Sequence, residues 1–328
     1  MAILVTGGAG YIGSHTVSEL TAHGEDVIVL DNLQKGHRQA INNVVFYHGD
    51  IRDPQVTDRI FSENRIDAVV HFAADSLVGE SVADPLKYYD NNVITAQRLL
   101  TQMNKHHVKK IVFSSTAAVY GEPVNIPIKE TDRTLPTNPY GETKLAIEKM
   151  LHYCDRAYGI KYIALRYFNA AGAHPYGTIG EDHHPESHLI PIILQAALGQ
   201  RGEIAIYGND YPTPDGTCIR DYIHVMDLAQ AHRLALQRLK NTEESDVYNL
   251  GNGKGFSVFE VVKKARAITG HAIPASIVAR RPGDPAVLVA SSEKARTLLG
   301  WTPHYHELDE IIASAWKWHK ANPGGFGN

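Results

Sequence analysis

The sequence predicts an α/β fold, a doubly wound parallel sheet with a smaller α/β C-terminal lobe for the substrate. Three observations carry that prediction. A glycine-rich turn, Gly7-Gly8-Ala9-Gly10-Tyr11-Ile12-Gly13, closes the first apolar run. Short, near-continuous apolar runs then alternate with helical stretches, the pattern of strands covered on both faces of a parallel sheet. From Ala170 to Asp215 the texture becomes irregular and rich in Gly, Pro and His, as binding loops are.

Ala2-Ile-Leu-Val5 reads as the first strand, His15 to Ala22 as a helix and Asp26 to Leu30 as the second strand, a β-α-β unit. Val44 to Tyr47, Ala68 to Phe72, Lys110 to Phe113 and Ile160 to Tyr167 continue the sheet. The irregular stretch holds one helix, Leu189 to Leu198. The segment from Arg220 to Ala229 enters a strong helix that runs to about Leu239, and Val247 to Leu250 is a buried strand that returns the chain to the first lobe. A helix from Ser257 to Thr269, the Arg280-Arg281-Pro-Gly-Asp284 loop and a Trp-bearing C-terminal helix complete the second lobe. The expected division is a Rossmann-type domain over 1–169 and 217–250, and a substrate-binding domain over 170–216 and 251–328.

With 328 residues the chain can bury a sizeable core, and its net charge of -4 provides no basic stripe for nucleic acid. Met1 to Gly7 lacks the charged and apolar regions of a secretory signal, and no run reaches transmembrane length, so no membrane partner and a cytoplasmic location are expected. Cys154 and Cys218 are far apart and suit reduced thiols.

Glycines after the first strand permit a tight turn, let the backbone approach a pyrophosphate and place its charge at a helix N-terminus. Asp31 ends the second strand, where a carboxylate can bind both ribose hydroxyls of an adenosine and repel a 2′-phosphate, which favours NAD. Tyr140 and Lys144 stand one helical turn apart in Asn138-Pro-Tyr-Gly-Glu-Thr-Lys144, so the ammonium can lie beside the phenol. A phenol of pKa ~10 must be lowered by about three units to act near neutrality, which takes about 4 kcal/mol of selective phenolate stabilisation. The same spacing also suits a packed ring and a solvated ammonium, and it is the companion motifs that favour catalysis.

Those companions are Ser114-Ser-Thr-Ala-Ala-Val-Tyr-Gly121 and Arg166-Tyr-Phe-Asn169. With His71-Phe-Ala73, Gly79-Glu-Ser81, Tyr88-Tyr-Asp-Asn-Asn92, Gly208-Asn-Asp-Tyr-Pro212, Asp215-Gly-Thr217 and Arg220-Asp-Tyr-Ile-His224, the chain resembles the extended short-chain dehydrogenase/reductase family. Within it, the likeness runs nearly end to end with the UDP-hexose 4-epimerases. The resemblance implies tightly bound NAD and interconversion of UDP-galactose and UDP-glucose through a 4-keto sugar that turns over in the site. It implies Tyr140, Lys144 and Thr116 as the catalytic set, with Thr116 in the usual serine position. For the cofactor it implies Gly7, Gly10, Tyr11, Ile12, Gly13, Asp31, Asn32, Asp50, Ile51, Phe72, Ala73, Asn91, Ser114 and Tyr167, beside Tyr140 and Lys144. Asn91 is expected to open a helix whose N-terminus faces the cofactor. For the substrate it implies Asn169, His188, Leu189, Tyr207, Arg220, Tyr222, Arg281, Asp284 and Leu288, beside Thr116 and Tyr140.

Three positions depart from the family pattern. Ser76 stands where many members have a lysine that reaches the cofactor diphosphate, and His188 replaces a common asparagine. Leu288, or Val287 if the register slips by one, falls where some members place a tyrosine against the sugar C2 substituent, so an acetamido group is expected to fit. A dehydratase would need an acid and a base after Thr116, where this chain has Ala117-Ala118. A decarboxylase and a nonenzymatic NAD sensor stay as alternatives. His183, His184 and His188 raise a metal reading, but no Cys or carboxylate set completes a pattern, so no metal is expected. The resemblance also implies a homodimer built on the helices carrying Val93, Ala96, Leu100, Met103, Ile147, Met150, Leu151 and Cys154, although periodicity does not separate core from dimer face.

Overall fold

The computed structural model describes residues 2–281 and 284–327. Strands β1 (Ala2–Thr6), β2 (Asp26–Asp31), β3 (Val45–His48), β4 (Ile66–His71), β5 (Lys110–Thr116) and β6 (Lys161–Tyr167) come first. After β7 (Asn169–Ala171), β8 (Ile204–Tyr207) and β9 (Ile219–His224), the chain returns as β10 (Asp246–Leu250). The central sheet runs β10-β6-β5-β4-β1-β2-β3 with every pair parallel. Its order reverses between β1 and β4, the switch point where doubly wound sheets bind ligands beyond their strand ends.

Neighbouring residues of β1 face opposite ways, which explains its unbroken apolar run. Ile3 and Val5 join one core with Val29, Val70, Val112 and Leu165, whereas Ala2 and Leu4 join the other with Ile28, Val69, Ile111 and Phe113. Helices α1 (Tyr11–Ala22) and α8 (Val225–Thr242) cover the first face through Val17, Leu20, Leu228 and Leu236. The second face lies under α2 (Pro54–Glu63), α5 (Thr95–Lys105) and α6 (Pro139–Tyr158). Of the helix residues left between core and dimer face, Ala96, Leu100, Met103, Ile147 and Leu151 are in this core, and Val93, Met150 and Cys154 pack against it.

A separate core, including Ile193, Leu194, Val261, Ile311 and Ile312, joins α7 (Leu189–Ala197), α9 (Val258–Thr269) and α10 (Leu308–Ala321). Beside it β9 pairs in parallel with β7 and β13 (Val287–Leu288), and antiparallel with β11 (Gly255–Ser257). β8 pairs with β12 (Ala275–Val278).

Three expectations need correction. The stretch from Arg220 is not only the approach to a helix; its first residues are β9, a strand made by pairing on both edges rather than by apolar patterning. Within the stretch assigned to the second lobe, Ala295, Leu299 and Trp301 are buried in the core of the central sheet, where the Trp301 indole donates to the Asp227 carbonyl at 2.9 Å. Asn91 does not open a helix. Following α3 (Val78–Ala83), helix α4 (Pro85–Tyr88) starts at the Asp84 cap and runs through a π-helical turn, Tyr89–Ile94, into α5. That turn directs Asn92 inward, where it accepts from the Asp75 amide at 2.8 Å and donates to Thr143 Oγ1 at 3.0 Å.

One buried ion pair ties α6 to the sheet. Arg166 on β6 donates to both carboxylate oxygens of Glu148, at 2.9 and 2.5 Å, with the side chains 7% and 6% exposed. Ser115 donates to the same carboxylate at 2.5 Å, and Arg166 also reaches the Tyr120 hydroxyl, which donates to Asn249 on β10. Removing one partner of such a pair leaves an uncompensated buried charge. Arg166→Met is expected to lower the unfolding free energy by about 3–5 kcal/mol in urea titrations, and adding Glu148→Leu should recover most of it. A loss below about 1 kcal/mol, the range of exposed pairs, would show that the pair does not anchor the helix.

Candidate active site

Helix α6 begins where Asn138 accepts a hydrogen bond from the Gly141 amide at 2.9 Å and Pro139 occupies the first turn. A Cβ on Gly141 would lie 2.6 Å from the Ala118 carbonyl oxygen, so only glycine lets the helix start press against the chain leaving β5. This contact brings Tyr140 to Thr116. Burial raises the Tyr140 pKa and the nearby Thr116 hydroxyl opposes the rise. Thr116 Oγ1 also accepts from the Ala118 amide at 3.1 Å, which leaves its own proton free to donate.

One turn on, Lys144 is 2% exposed and donates to the Ser114 carbonyl at 2.8 Å. Its ammonium lies 5.0 Å from the centre of the Phe113 ring and 6.0 Å from that of Tyr140. Burial pulls its pKa down to about 7, against the opposing charge of Glu148. Ser114 and Tyr167 share a hydrogen bond between their hydroxyls.

The glycine turn lies at the switch point. Gly7 has φ +73°, and a Cβ there would meet the Ala73 amide nitrogen at 2.5 Å; one on Gly13 would lie 2.2 Å from the Gly7 carbonyl oxygen. Gly10 caps α1 with no side chain and no acidic residue follows in the first turn, which leaves an N-terminus suited to an anion. Asp31 is buried, its two oxygens accepting from the Ala9 and Leu33 amides at 2.9 and 2.8 Å. Burial raises its pKa while those amides hold it down. Phe72 and Ala73 both donate to the Thr6 carbonyl, at 2.9 and 3.1 Å. Asp50 is pushed down to about 2 by its hydrogen bonds with Arg52, and Asn32 donates to it at 3.4 Å; Ile51 beside it is buried. Tyr11 turns away and donates to the Gly172 carbonyl at 2.6 Å, and Ile12 packs against the core of the first sheet face.

A second group gathers on the smaller lobe. Tyr222 pairs in register with Asn169, and Arg220 with Leu288. Arg220 holds the Asp284 carboxylate, and the Arg281 guanidinium lies 3.9 Å from the centre of the Tyr207 ring. Leu288 packs with the cluster that contains Ala117, Val119, Tyr120 and Phe168, immediately beside Thr116 and Tyr167. Asn169, His188, Tyr207 and Arg281 are exposed, and Leu189 is half-buried at the start of α7. Ser76 is exposed, ahead of a cluster in which Lys87 contacts Glu80 at 2.6 Å.

Sequence reasoning missed two groups. The Glu148, Arg166 and Ser115 network has no local signal, because its members meet only across α6, β5 and β6. Glu181 and Glu186 did leave one: they interleave with His183 and His188 in Glu-x-His-x-x-Glu-x-His, and the fold brings all four together. The carboxylate set that the sequence reading found missing is therefore present.

The arrangement can present a phenol and a hydroxyl to one sugar oxygen beside a buried amine. Without cofactor, Lys144 sheds its proton near pH 7 when folded and near ~10.4 when unfolded. The unfolded chain thus binds more protons between those values, and the stability contribution of this site rises with pH across that window, being least favourable below it. Lys144→Met should raise the melting temperature of cofactor-stripped protein at pH 6, by roughly 2–4 °C per kcal/mol relieved, with the gap closing towards pH 9. Scanning fluorimetry that finds the gap independent of pH would refute this account.

The family model described as NAD dependent epimerase/dehydratase matches residues 3–251. A UDP-glucose 4-epimerase of Halalkalibacterium halodurans is 67% identical over 326 residues, 99% of this chain and 98% of that protein. The crystal structure of UDP-glucose 4-epimerase from Bifidobacterium longum in complex with NAD+ and UDP has TM-score 0.95 and 45% identity, covering 99% of this chain and 100% of that one. The UDP-Glc/GlcNAc 4-epimerase from Campylobacter jejuni has TM-score 0.86 and 42% identity, covering 98% and 99%. With its glycine turn at the switch point and Tyr140 and Lys144 on one face of α6, this chain belongs to the NAD dependent epimerase/dehydratase family.

Proposed function

We propose that the chain is a UDP-hexose 4-epimerase that interconverts UDP-galactose and UDP-glucose with NAD. The observation that carries this reading is the meeting of Tyr140, Thr116 and buried Lys144 at the end of β5, followed by two alanines rather than an acid and a base. The length and identity of the match to UDP-glucose 4-epimerases support the same activity over a decarboxylase or a nonenzymatic sensor.

The cradle fits the cofactor: two glycines leave no space for a Cβ, the first turn of α1 carries no competing acid, and Asp31 stands where a ribose would lie. Gly7, Gly10 and Gly13 with the backbone of Tyr11 and Ile12 would hold the diphosphate, Asp31 and Asn32 the ribose, Asp50 and Ile51 the adenine, and Phe72, Ala73, Asn91, Ser114 and Tyr167 would line the remainder. NAD, when bound, would accept hydride from sugar C4, return it to the opposite face of C4 so that no net oxidation remains, and place a positive ring beside the phenol. Tyr140 would take the proton from O4 as C4 is oxidised and return it to O4 when C4 is reduced again. Thr116 donates to and accepts from O4, as a hydroxyl can do both. Lys144 holds positive charge beside the phenol and favours its ionised form. Arg220 and Arg281 grip the UDP diphosphate with planar donor forks, with Asp284, Tyr207, Tyr222, Asn169, His188 and Leu189 around the nucleotide and sugar. Anchoring UDP while leaving the hexose loosely held allows the 4-keto sugar to rotate.

Leu288, half-buried beside Ala117 and Phe168, is smaller than a tyrosine, and this supports acceptance of an acetamido group at C2; the Campylobacter relative is a UDP-Glc/GlcNAc 4-epimerase. The working unit is a cytoplasmic homodimer. Val82, Leu86, Tyr89 and Tyr153 are exposed along α3 to α6, an apolar face fitting a second copy; light scattering that finds a monomer would remove this part of the reading. No helix among the described residues is long and apolar enough to cross a membrane.

Proton NMR of the anomeric region tests the activity, with purified protein added to UDP-galactose and UDP-N-acetylgalactosamine. Both gluco products are expected, with Tyr140→Phe lowering kcat by about 10²–10⁴. Leu288→Tyr should cut acetylated turnover by about 10-fold or more through overpacking while sparing UDP-galactose. No product from either sugar, even with NAD added, would overturn the epimerase; UDP-glucose alone would overturn the Leu288 argument.

A further inference from the structure

We propose that Glu181, His183, Glu186 and His188 form a binding site for one divalent transition-metal ion, with zinc the best match. One ligand atom from each residue can be chosen so that all four lie within 4.8 Å of one another. His183 Nδ1 is 3.3 Å from Glu181 Oε1 and 3.8 Å from Glu186 Oε2, and His188 Nδ1 is 3.6 Å from Glu186 Oε1. A tetrahedral ion with bonds of about 2.0–2.2 Å sets its ligand atoms roughly 3.3–3.6 Å apart, so the two spacings from His183 need little change, while Glu186 Oε1 stays with the Ser187 and His188 amides and leaves Oε2 for the ion. His188 Nδ1 and Glu181 Oε1, at 2.5 Å, share a direct hydrogen bond that must open by about 1 Å.

Two further features point to a cation. The Glu181 and Glu186 side chains are only 3% and 2% exposed, and adjacent buried carboxylates repel unless positive charge lies between them. His183 Nδ1 is closed off from solvent and has no hydrogen-bond partner among the described residues, although it faces both carboxylates. Two imidazoles with two carboxylates form a nitrogen and oxygen set that suits zinc better than magnesium or calcium, which prefer oxygen alone. Four protein ligands leave no open coordination position, so the ion is structural.

Its location gives it work to do. The Tyr11 ring of the glycine turn packs edge-on against His183 with centroids 6.2 Å apart, and Lys35 donates to the His184 carbonyl at 2.9 Å. At the other end, Glu186 accepts from the Ser187 and His188 amides at 2.7 and 2.8 Å and so fixes the residue that caps α7. An ion here would tie the helix of the smaller lobe to the turn at the start of α1. Those backbone bonds to Glu186 are also the kind of outer support that orients a metal ligand.

The test uses the full, untagged chain, saturated with zinc and freed of loosely held ions, with metal measured by inductively coupled plasma mass spectrometry. About one zinc per chain is expected, falling at least about tenfold in His183→Ala and in Glu186→Gln, with a zinc-dependent rise in melting temperature in the unaltered chain alone. Cobalt(II) titration of the unaltered chain should saturate near one equivalent with the visible absorption of a tetrahedral site, a readout that needs no variant to fold. Tyr140→Phe protein should retain the same zinc, which separates this inference from the catalytic reading. Zinc below about a tenth of an equivalent, or cobalt without tetrahedral absorption, would overturn the site and leave a proton-bridged network of histidines and glutamates.

Discussion

The active-site geometry depends on a helix held at two points. At its first turn, α6 presses against the chain leaving β5, where a side chain on Gly141 would collide with the Ala118 carbonyl. Seven residues on, about 10 Å along the axis, Glu148 is gripped by Arg166 and Ser115 from the sheet. Two anchors prevent the helix from sliding or turning, and Lys144 sits between them with its ammonium on the Ser114 carbonyl. Tyr140 can therefore meet Thr116 without a strong bond of its own to hold it there, which leaves both hydroxyls available to a sugar.

The two groups of candidate site residues are built differently. Around the glycine turn the contacts come from backbone and buried groups: Asp31 is held by two amides, and Gly7 and Gly13 touch neighbouring main chain. Such a surface is set by main chain and leaves little for side chains to rearrange. On the smaller lobe the polar groups are side chains, several of them exposed, from β7, β9, β13 and the loops beside them. An open, side-chain-lined surface suits a substrate whose hexose has to turn while its diphosphate is held.

This difference also decides what could be read from the sequence. The glycine turn, Asp31 at the end of β2 and the pairing of Tyr140 with Lys144 are legible because their geometry is set by residues within one or two turns of chain. The parallel sheet is legible because burial on both faces leaves unbroken apolar runs. β9 is not, since Arg220 and Asp221 give it no apolar pattern and its partners come from β7, β11 and β13. Nor is the extra turn before α5 legible: the sequence suggests a helix start at Asn91, whereas Asn92 is the buried, hydrogen-bonded residue of a π-helical turn. The ion pair beneath α6 is illegible for the same reason: Glu148 and Arg166 are 18 residues apart and meet only through the packing of α6 on β6. In Glu181, His183, Glu186 and His188 the spacing was present, but coordination is a three-dimensional property that spacing in a loop does not set.

The charges at Tyr140 and Lys144 complete the picture. In the protein alone burial acts against both active forms, raising the phenol above its ordinary pKa and drawing the amine down to about 7. A phenolate in that state would have only a partly protonated amine and the Thr116 hydroxyl to stabilise it. Adding a fixed positive ring nearby favours the phenolate directly and disfavours the ammonium, so the two effects compete at Lys144. Glu148 is the group that offsets the second effect, since its carboxylate raises the Lys144 pKa from one turn away. The carboxylate that anchors α6 thus also opposes the loss of the Lys144 proton that burial favours, and mechanical and electrostatic roles converge on one buried group.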